Sequence, residues 1–232
     1  MGFYESDRLV HYWFEAPYST EDAMLTDVAL RSLGVPACDG LESLAAISVA
    51  HVAHLFSVIV LFKLTLAVFG RASGRIAFTA AALHIISPAG LFLSGPYAES
   101  SCAFLSFAGC LNFVKSFGSN NGRTSASGDF LLILSGIMFG AATTFRSNGI
   151  LNGLLLLEEA FRVLFRLKNG LKVETLRRLI AAGLGGLFVL AGFLLPQLIA
   201  YQEYCGDSSA EKRPWCKRTL PSIYTFVQDY YW

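Results

Sequence analysis

The chain has 232 residues, of which 54% are hydrophobic and 15% charged, against about 25% charged in an average soluble domain. Its mean hydropathy is +0.51. So little polar material argues against a water-covered globule, and it excludes a disordered chain, a collagen-like fibre and a small disulfide scaffold. The formal net charge of +1 offers no basic surface for nucleic acid. That near-neutral total conceals two opposed parts: residues 1–42 carry a net −6 and residues 43–232 a net +7.

In chain order, the first apolar run is Leu44 to Phe69, broken only by Lys63 and followed at once by Arg71 and Arg75. Ile76 to Leu93 is the second and Ala98 to Phe117 the third, with Gly95-Pro96 between them. A stretch rich in Gly, Asn and Ser from Ser116 to Asp129 reads as a connection. Phe130 to Thr144 and Ile150 to Phe165 are the fourth and fifth runs, separated by Arg146-Ser147-Asn148-Gly149. A basic stretch follows (Arg162, Arg166, Lys168, Lys172, Arg177, Arg178), read here as a loop. Leu179 to Tyr201 is the sixth run, and Pro196 is expected to kink its end. The pattern predicts an all-α polytopic membrane protein with about six apolar helices; runs two to five are short enough for some to be tilted or re-entrant.

Loops 70–75, 115–129 and 162–178 share one side and hold most of the loop bases, which places them in the cytoplasm. The acidic segment 1–42, the turns near 95–99 and 145–149, and the near-neutral tail then face the lumen or exterior. The expected organisation is an acidic lumenal segment, 1–42; a membrane helical domain, 43–202; and a lumenal loop or the start of a further helix, 203–232. Residues 1–42 contain no apolar stretch suited to a signal peptide, and the chain stops at the interfacial aromatics Tyr230-Tyr231-Trp232. Both ends read as internal to a longer polypeptide.

Cys102 and Cys110, eight apart in the third run, read as small packing residues. Cys205 and Cys216 lie in the lumenal tail, where an oxidising compartment permits a disulfide; two separate thiols is the competing reading. His51 and His54 share a helical face, as a proton or ligand site within the bundle or simply as interfacial side chains. The four histidines show no metal-ligand spacing, and no metal site is expected from them. Glu99 stands at a helix start, where the dipole favours an acid. Arg146 is lodged between apolar runs, where a charge needs a partner or a polar cavity. Glu99 and Arg146 fall on the same side: they either pair structurally or line a site for a phosphate or sugar. No Asp-x-Asp, P-loop or Gly-x-Ser-x-Gly motif occurs.

These residues carry a resemblance. Ser87-Pro88-Ala89-Gly90-Leu91-Phe92 with Tyr97-Ala98-Glu99-Ser100, then Arg146-Ser147-Asn148-Gly149, then Pro214-Trp215-Cys216, Pro221-Ser222-Ile223-Tyr224 and Asp229-Tyr230-Tyr231-Trp232, stand in the order of the PIG-V family, GPI mannosyltransferase II. Asp39-Gly40-Leu41-Glu42-Ser43-Leu44 is similar to fungal members. The resemblance implies a C-type glycosyltransferase-like helical bundle in the endoplasmic reticulum membrane. Its activity would be transfer of the second mannose, α1,6-linked, from dolichyl-phosphate mannose to the mannosyl-GPI intermediate on the lumenal face. It implies a lipid-linked donor, a GPI acceptor and a small membrane partner subunit; no cofactor beyond the donor substrate is expected, with a metal held by carboxylates left open. The chain departs from the family in lacking its first helix, the Trp-Asp pair and the Glu-Trp-Ala-Phe element of the first lumenal loop, and the spans beyond Trp232.

Inverting transfer from a lipid phosphate needs a carboxylate base, and groups that stabilise the departing phosphate. The first lumenal loop is the natural source of the base, and the acids of this chain that stand there as candidates are Asp7 and Glu15; the competing reading is a solvated acidic loop. Arg146 is the candidate for the phosphate or for orienting Glu99, Asn148 for a sugar hydroxyl, and Tyr97 for stacking on a sugar or anchoring at the interface. Two other classes compete with the transferase: a catalytically inactive fragment or membrane scaffold, and a polytopic transporter. A transporter would show polar faces running through several spans.

Overall fold

The computed structural model describes residues 39–88, 93, 95, 97–118, 125–167, 170, 172–205, 214–217 and 222. Among these residues are six α-helices and no strand: α1 (Asp39–Phe69), α2 (Gly74–Ile85), α3 (Glu99–Lys115), α4 (Ala126–Phe145), α5 (Gly153–Leu167) and α6 (Val173–Cys205). Short 3₁₀ turns at Arg71–Ser73, Ser147–Asn152 and Pro214–Lys217 complete the list. The all-helical expectation is met.

Three helices are long and apolar enough to cross a membrane, over Leu44–Phe69, Ala126–Phe145 and Val173–Gln202. The others have 12, 17 and 15 residues, or about 18, 25 and 22 Å at 1.5 Å per residue, short of the ~30 Å hydrocarbon core. The six predicted runs therefore resolve into three full-length helices and three shorter ones. α2 stops at Ile85, well before Leu93, because Ser87-Pro88 follows and the residue before a proline is pushed out of the helical region.

The packing is that of a protein in lipid. Along α1 the buried positions are small, Ala46, Ala50, Ala53 and Ser57, spaced three and four apart on one face. The large side chains Leu44, Leu55, Phe56 and Phe69 point outward. Water would penalise such a surface by roughly 25 cal/mol for each Å² of apolar area, whereas lipid tails do not.

The chain divides into two compact units, Met1–Val114 and Lys115–Trp232, a division inside the stretch read from sequence as one membrane domain. In the first unit, α2 folds back on α1 through Gly70, whose φ of 88° suits a residue without a Cβ. Ala77 and Ala81 of α2 are buried, one turn apart. His84 Nε2 lies 2.9 Å from Ser57 Oγ, and its ring is 5.2 Å from that of His54 and 5.4 Å, edge-on, from Phe107 of α3. His51 is exposed, its Nδ1 2.8 Å from the Ile47 carbonyl of its own helix. The two histidines that share a face in sequence therefore have different partners.

In the second unit, α4 rises, α5 returns and α6 rises again. α4 and α6 are parallel neighbours whose backbones touch. A Cβ on Gly136 would lie 2.3 Å from Gly185 Cα, one on Gly140 2.4 Å from the Phe188 carbonyl oxygen, and one on Gly192 2.1 Å from the Gly140 carbonyl oxygen. Only glycine permits that approach. α6 does not stop at Pro196 but continues to Cys205. Proline lacks the N–H that would bond the Gly192 carbonyl; the Thr144 hydroxyl of α4 shares its proton between the Gly140 carbonyl of its own helix, at 3.2 Å, and that carbonyl, at 3.4 Å.

Candidate functional site

The Arg146–Gly149 element is a built turn. α4 ends at Phe145, and Arg146 is extended (φ −145°, ψ 127°) while its N–H still donates to the Ala142 carbonyl at 3.0 Å. The Gly149 N–H donates to the Arg146 carbonyl at 2.8 Å and opens the 3₁₀ turn Ser147–Asn152. Gly149 is buried, and a Cβ there would sit 2.8 Å from the Ala142 carbonyl and from Thr143 Cα, all backbone that cannot swing aside. The glycine thus lets the turn close against the end of α4. Arg146 and Asn148 are left exposed on its outer side. A guanidinium and an amide on one rigid turn suit a phosphate and a sugar hydroxyl.

Tyr97 and Glu99 belong to the first unit. Tyr97 is exposed, and its N–H donates to the Gly95 carbonyl at 2.8 Å. Glu99 is the half-buried first residue of α3. Ser100 Oγ donates to the Leu93 carbonyl and ties the incoming segment to that helix start. Asp7, Glu15 and the rest of residues 1–38 lie outside the described residues, as do most of the 89–96 stretch and 223–232. Among the described residues, no group of three or more His, Cys, Asp or Glu side chains gathers as for a metal.

The tail packs on the same end of the unit as the Arg146 turn. A disulfide joins Cys205, the last residue of α6, to Cys216 of the 3₁₀ turn Pro214–Lys217, with Cα atoms 5.5 Å apart. Trp215 between them is buried, and Ser222 Oγ donates to Gln197 Oε1 at 2.8 Å. Cys102 and Cys110 are in no disulfide among the described residues.

A second polar centre occupies the opposite end, and sequence reading missed it. Arg178, 1% exposed, donates from Nε to Glu159 Oε1 at 2.9 Å and from Nη2 to Ser116 Oγ at 2.9 Å. Its Nη1 donates to the Gly128 carbonyl at 3.2 Å and stands 3.6 Å from Asp129 Oδ1. Arg177 Nε donates to Asp129 Oδ2, and the Phe117 ring lies 5.1 Å from the Arg178 guanidinium carbon. The stretch 162–178 is therefore not one loop. Arg162 and Arg166 belong to α5, and Arg177 and Arg178 to the first turns of α6, which starts at Val173, six residues before Leu179. Glu158 and Glu159, placed four and three residues before Arg162, were the available signal for a helix through this region. The ends joined by this cluster and the end bearing Arg146 and the tail are the two sides assigned from loop charge.

Residues 25–232 match the family described as Mannosyltransferase (PIG-V). A GPI mannosyltransferase 2 of Chaetomium globosum is 47% identical, covering 82% of this chain and 44% of its own length. One of Gibberella zeae is 40% identical, with 82% and 44% covered. A GPI alpha-1,6-mannosyltransferase 2 of Cricetulus griseus is 33% identical, with 82% and 41% covered. The chain thus spans less than half the length of these relatives. No solved structure matches it. With the motifs in family order and the match running through both units, the chain belongs to the PIG-V mannosyltransferase family.

Proposed function

We propose that the protein containing this chain transfers the second mannose, in α1,6 linkage, from dolichyl-phosphate mannose to a mannosyl-GPI intermediate on the lumenal face of the endoplasmic reticulum membrane. The observation that carries the reading is the Arg146-Ser147-Asn148-Gly149 element, a family motif held by a buried glycine at one end of a membrane unit. In the reaction, the acceptor hydroxyl attacks the anomeric carbon of the donor, the carbon–oxygen bond to phosphate breaks, and the hydroxyl proton passes to a carboxylate. Arg146 steadies the phosphate as its charge grows, Asn148 bonds a sugar hydroxyl, and Asp7 or Glu15 supplies the base. Tyr97 and Glu99 keep the substrate-binding roles that their motif implies. A small membrane partner subunit belongs to the same reading. That the relatives are GPI mannosyltransferases favours a transferase over a transporter or scaffold.

The test is rescue of cells depleted of their second GPI mannosyltransferase, with the GPI intermediates weighed by mass spectrometry. Restoration of the two-mannose species, and its loss in Arg146→Ala at undiminished protein level, is the expected result. Accumulation of the one-mannose species despite normal membrane insertion sinks the proposal.

A further inference from the structure

A groove of about 320 Å³ runs between α5 and α6. Ile150, Leu154 and Leu157 line one side, Gly183, Gly186 and Leu190 the other. A Cβ added at Gly183 or Gly186 would meet nothing within 4 Å. These glycines differ in this from Gly136, Gly140 and Gly192, which allow helix backbones to touch; they hollow the face of α6 instead. From Ala182 to Leu190 the groove follows about 12 Å of helix axis. Over that length its lining is aliphatic side chains and glycine, with no charged group.

The two ends of the groove differ in charge. Ile150 belongs to the same 3₁₀ turn as Asn148, four residues after Arg146, and both polar side chains are exposed there. At the other end Ala160 adjoins Glu159, whose carboxylate is taken up by buried Arg178. The cation therefore stands at the Arg146 end, and the apolar channel leads away from it.

We propose that the α5–α6 groove holds the apolar chain of a lipid phosphate, the sugar donor of the transfer proposed above, with the phosphate at Arg146. The identification of the lipid as the donor rests on that reading; the groove and its charge do not.

The probe is a polyprenyl phosphate bearing a photoreactive diazirine in its second isoprene unit, added to membranes holding the full-length protein. Label is expected in residues 150–157 and 183–190, displaced by unlabelled polyprenyl phosphate and not by phosphatidylcholine. Gly186→Leu and Gly183→Leu should each cut labelling at least tenfold, Gly186→Ala should be intermediate, and Arg146→Ala should raise the half-saturating probe concentration at least fivefold. A Cβ at either glycine meets nothing within 4 Å, and retention of the Cys205–Cys216 bond with an unchanged unfolding temperature confirms that the variants fold. Unaltered labelling in both leucine variants overturns the proposal. So does equal displacement by phosphatidylcholine, which marks a general lipid-facing surface, and so does efficient cross-linking of Leu154→Cys and Gly186→Cys to another protein segment. Binding is read without turnover. Correct labelling with failed rescue removes the transferase reading alone, and rescue with wild-type transfer in both leucine variants removes the groove alone.

Discussion

Arg178 sits where water cannot reach it, and each of its donor nitrogens faces an oxygen: Glu159, Ser116, Asp129 and the Gly128 carbonyl. A buried charge of this kind adds modest net stability while it is paired, and removing one partner leaves the other unpaired. Arg178→Ala leaves Glu159, 2% exposed, with only the longer Arg162 contact at 3.6 Å, and is expected to cost about 3 kcal/mol, read as a fall in unfolding temperature of the detergent-solubilised protein. Gly149 acts differently. Gly149→Ala places a carbon against backbone at 2.8 Å, so the turn must shift and carry Arg146 and Asn148 with it. Mannose transfer in the rescue assay should drop at least tenfold, with protein abundance falling much less; wild-type transfer would show that the turn has no part in the site. Sequence reading singled out Arg146 because a charge between apolar runs is conspicuous. It passed over Arg178 because that residue stands in a basic stretch, where one arginine looks like the next. Burial separates them, and burial depends on what α4 and α5 bring alongside.

The same contrast holds for whole helices. Each apolar run became a helix because its length and composition leave no other way to satisfy the backbone in lipid. Their ends were harder to read. α6 starts among bases at Val173, where Glu174 favours the positive end of the helix dipole, and it passes through Pro196 because Thr144 meets the carbonyl that the proline leaves bare. Thr144→Val is therefore expected to cost about 0.6 kcal/mol, the average measured for side-chain hydrogen bonds between membrane helices, and no more than about 1.7 kcal/mol. Pro196→Ala, which restores the N–H, should suppress most of that loss when combined with it. Unfolding temperatures of the two single variants and the double variant test this coupling; strict additivity would refute it. The glycines of α4 and α6 were visible as letters. That some join helices and others open a groove follows only from which backbone stands opposite.

Across the whole chain, loop charge assigns sides. In the second unit the ends it assigns to the cytoplasm meet around Arg178, whereas the Arg146 turn and the Cys205–Cys216 tail occupy the other end. A membrane-impermeant thiol reagent should accordingly reach Lys172→Cys from the cytoplasmic side of sealed vesicles and Asn148→Cys only from the lumenal side. Labelling of both from one side would refute the assigned orientation. Hydropathy and the order of motifs determined the class of protein, its helical content and its family, because these depend on residue types summed along the chain. The three-dimensional packing decided the buried arginine cluster, the parallel pairing of α4 with α6, the role of each glycine and the groove beside Arg146. Apart from the Gly149 turn, those depend on contacts between residues far apart in the chain, 19 positions for Glu159 with Arg178 and 62 for Ser116 with Arg178, which no local pattern encodes.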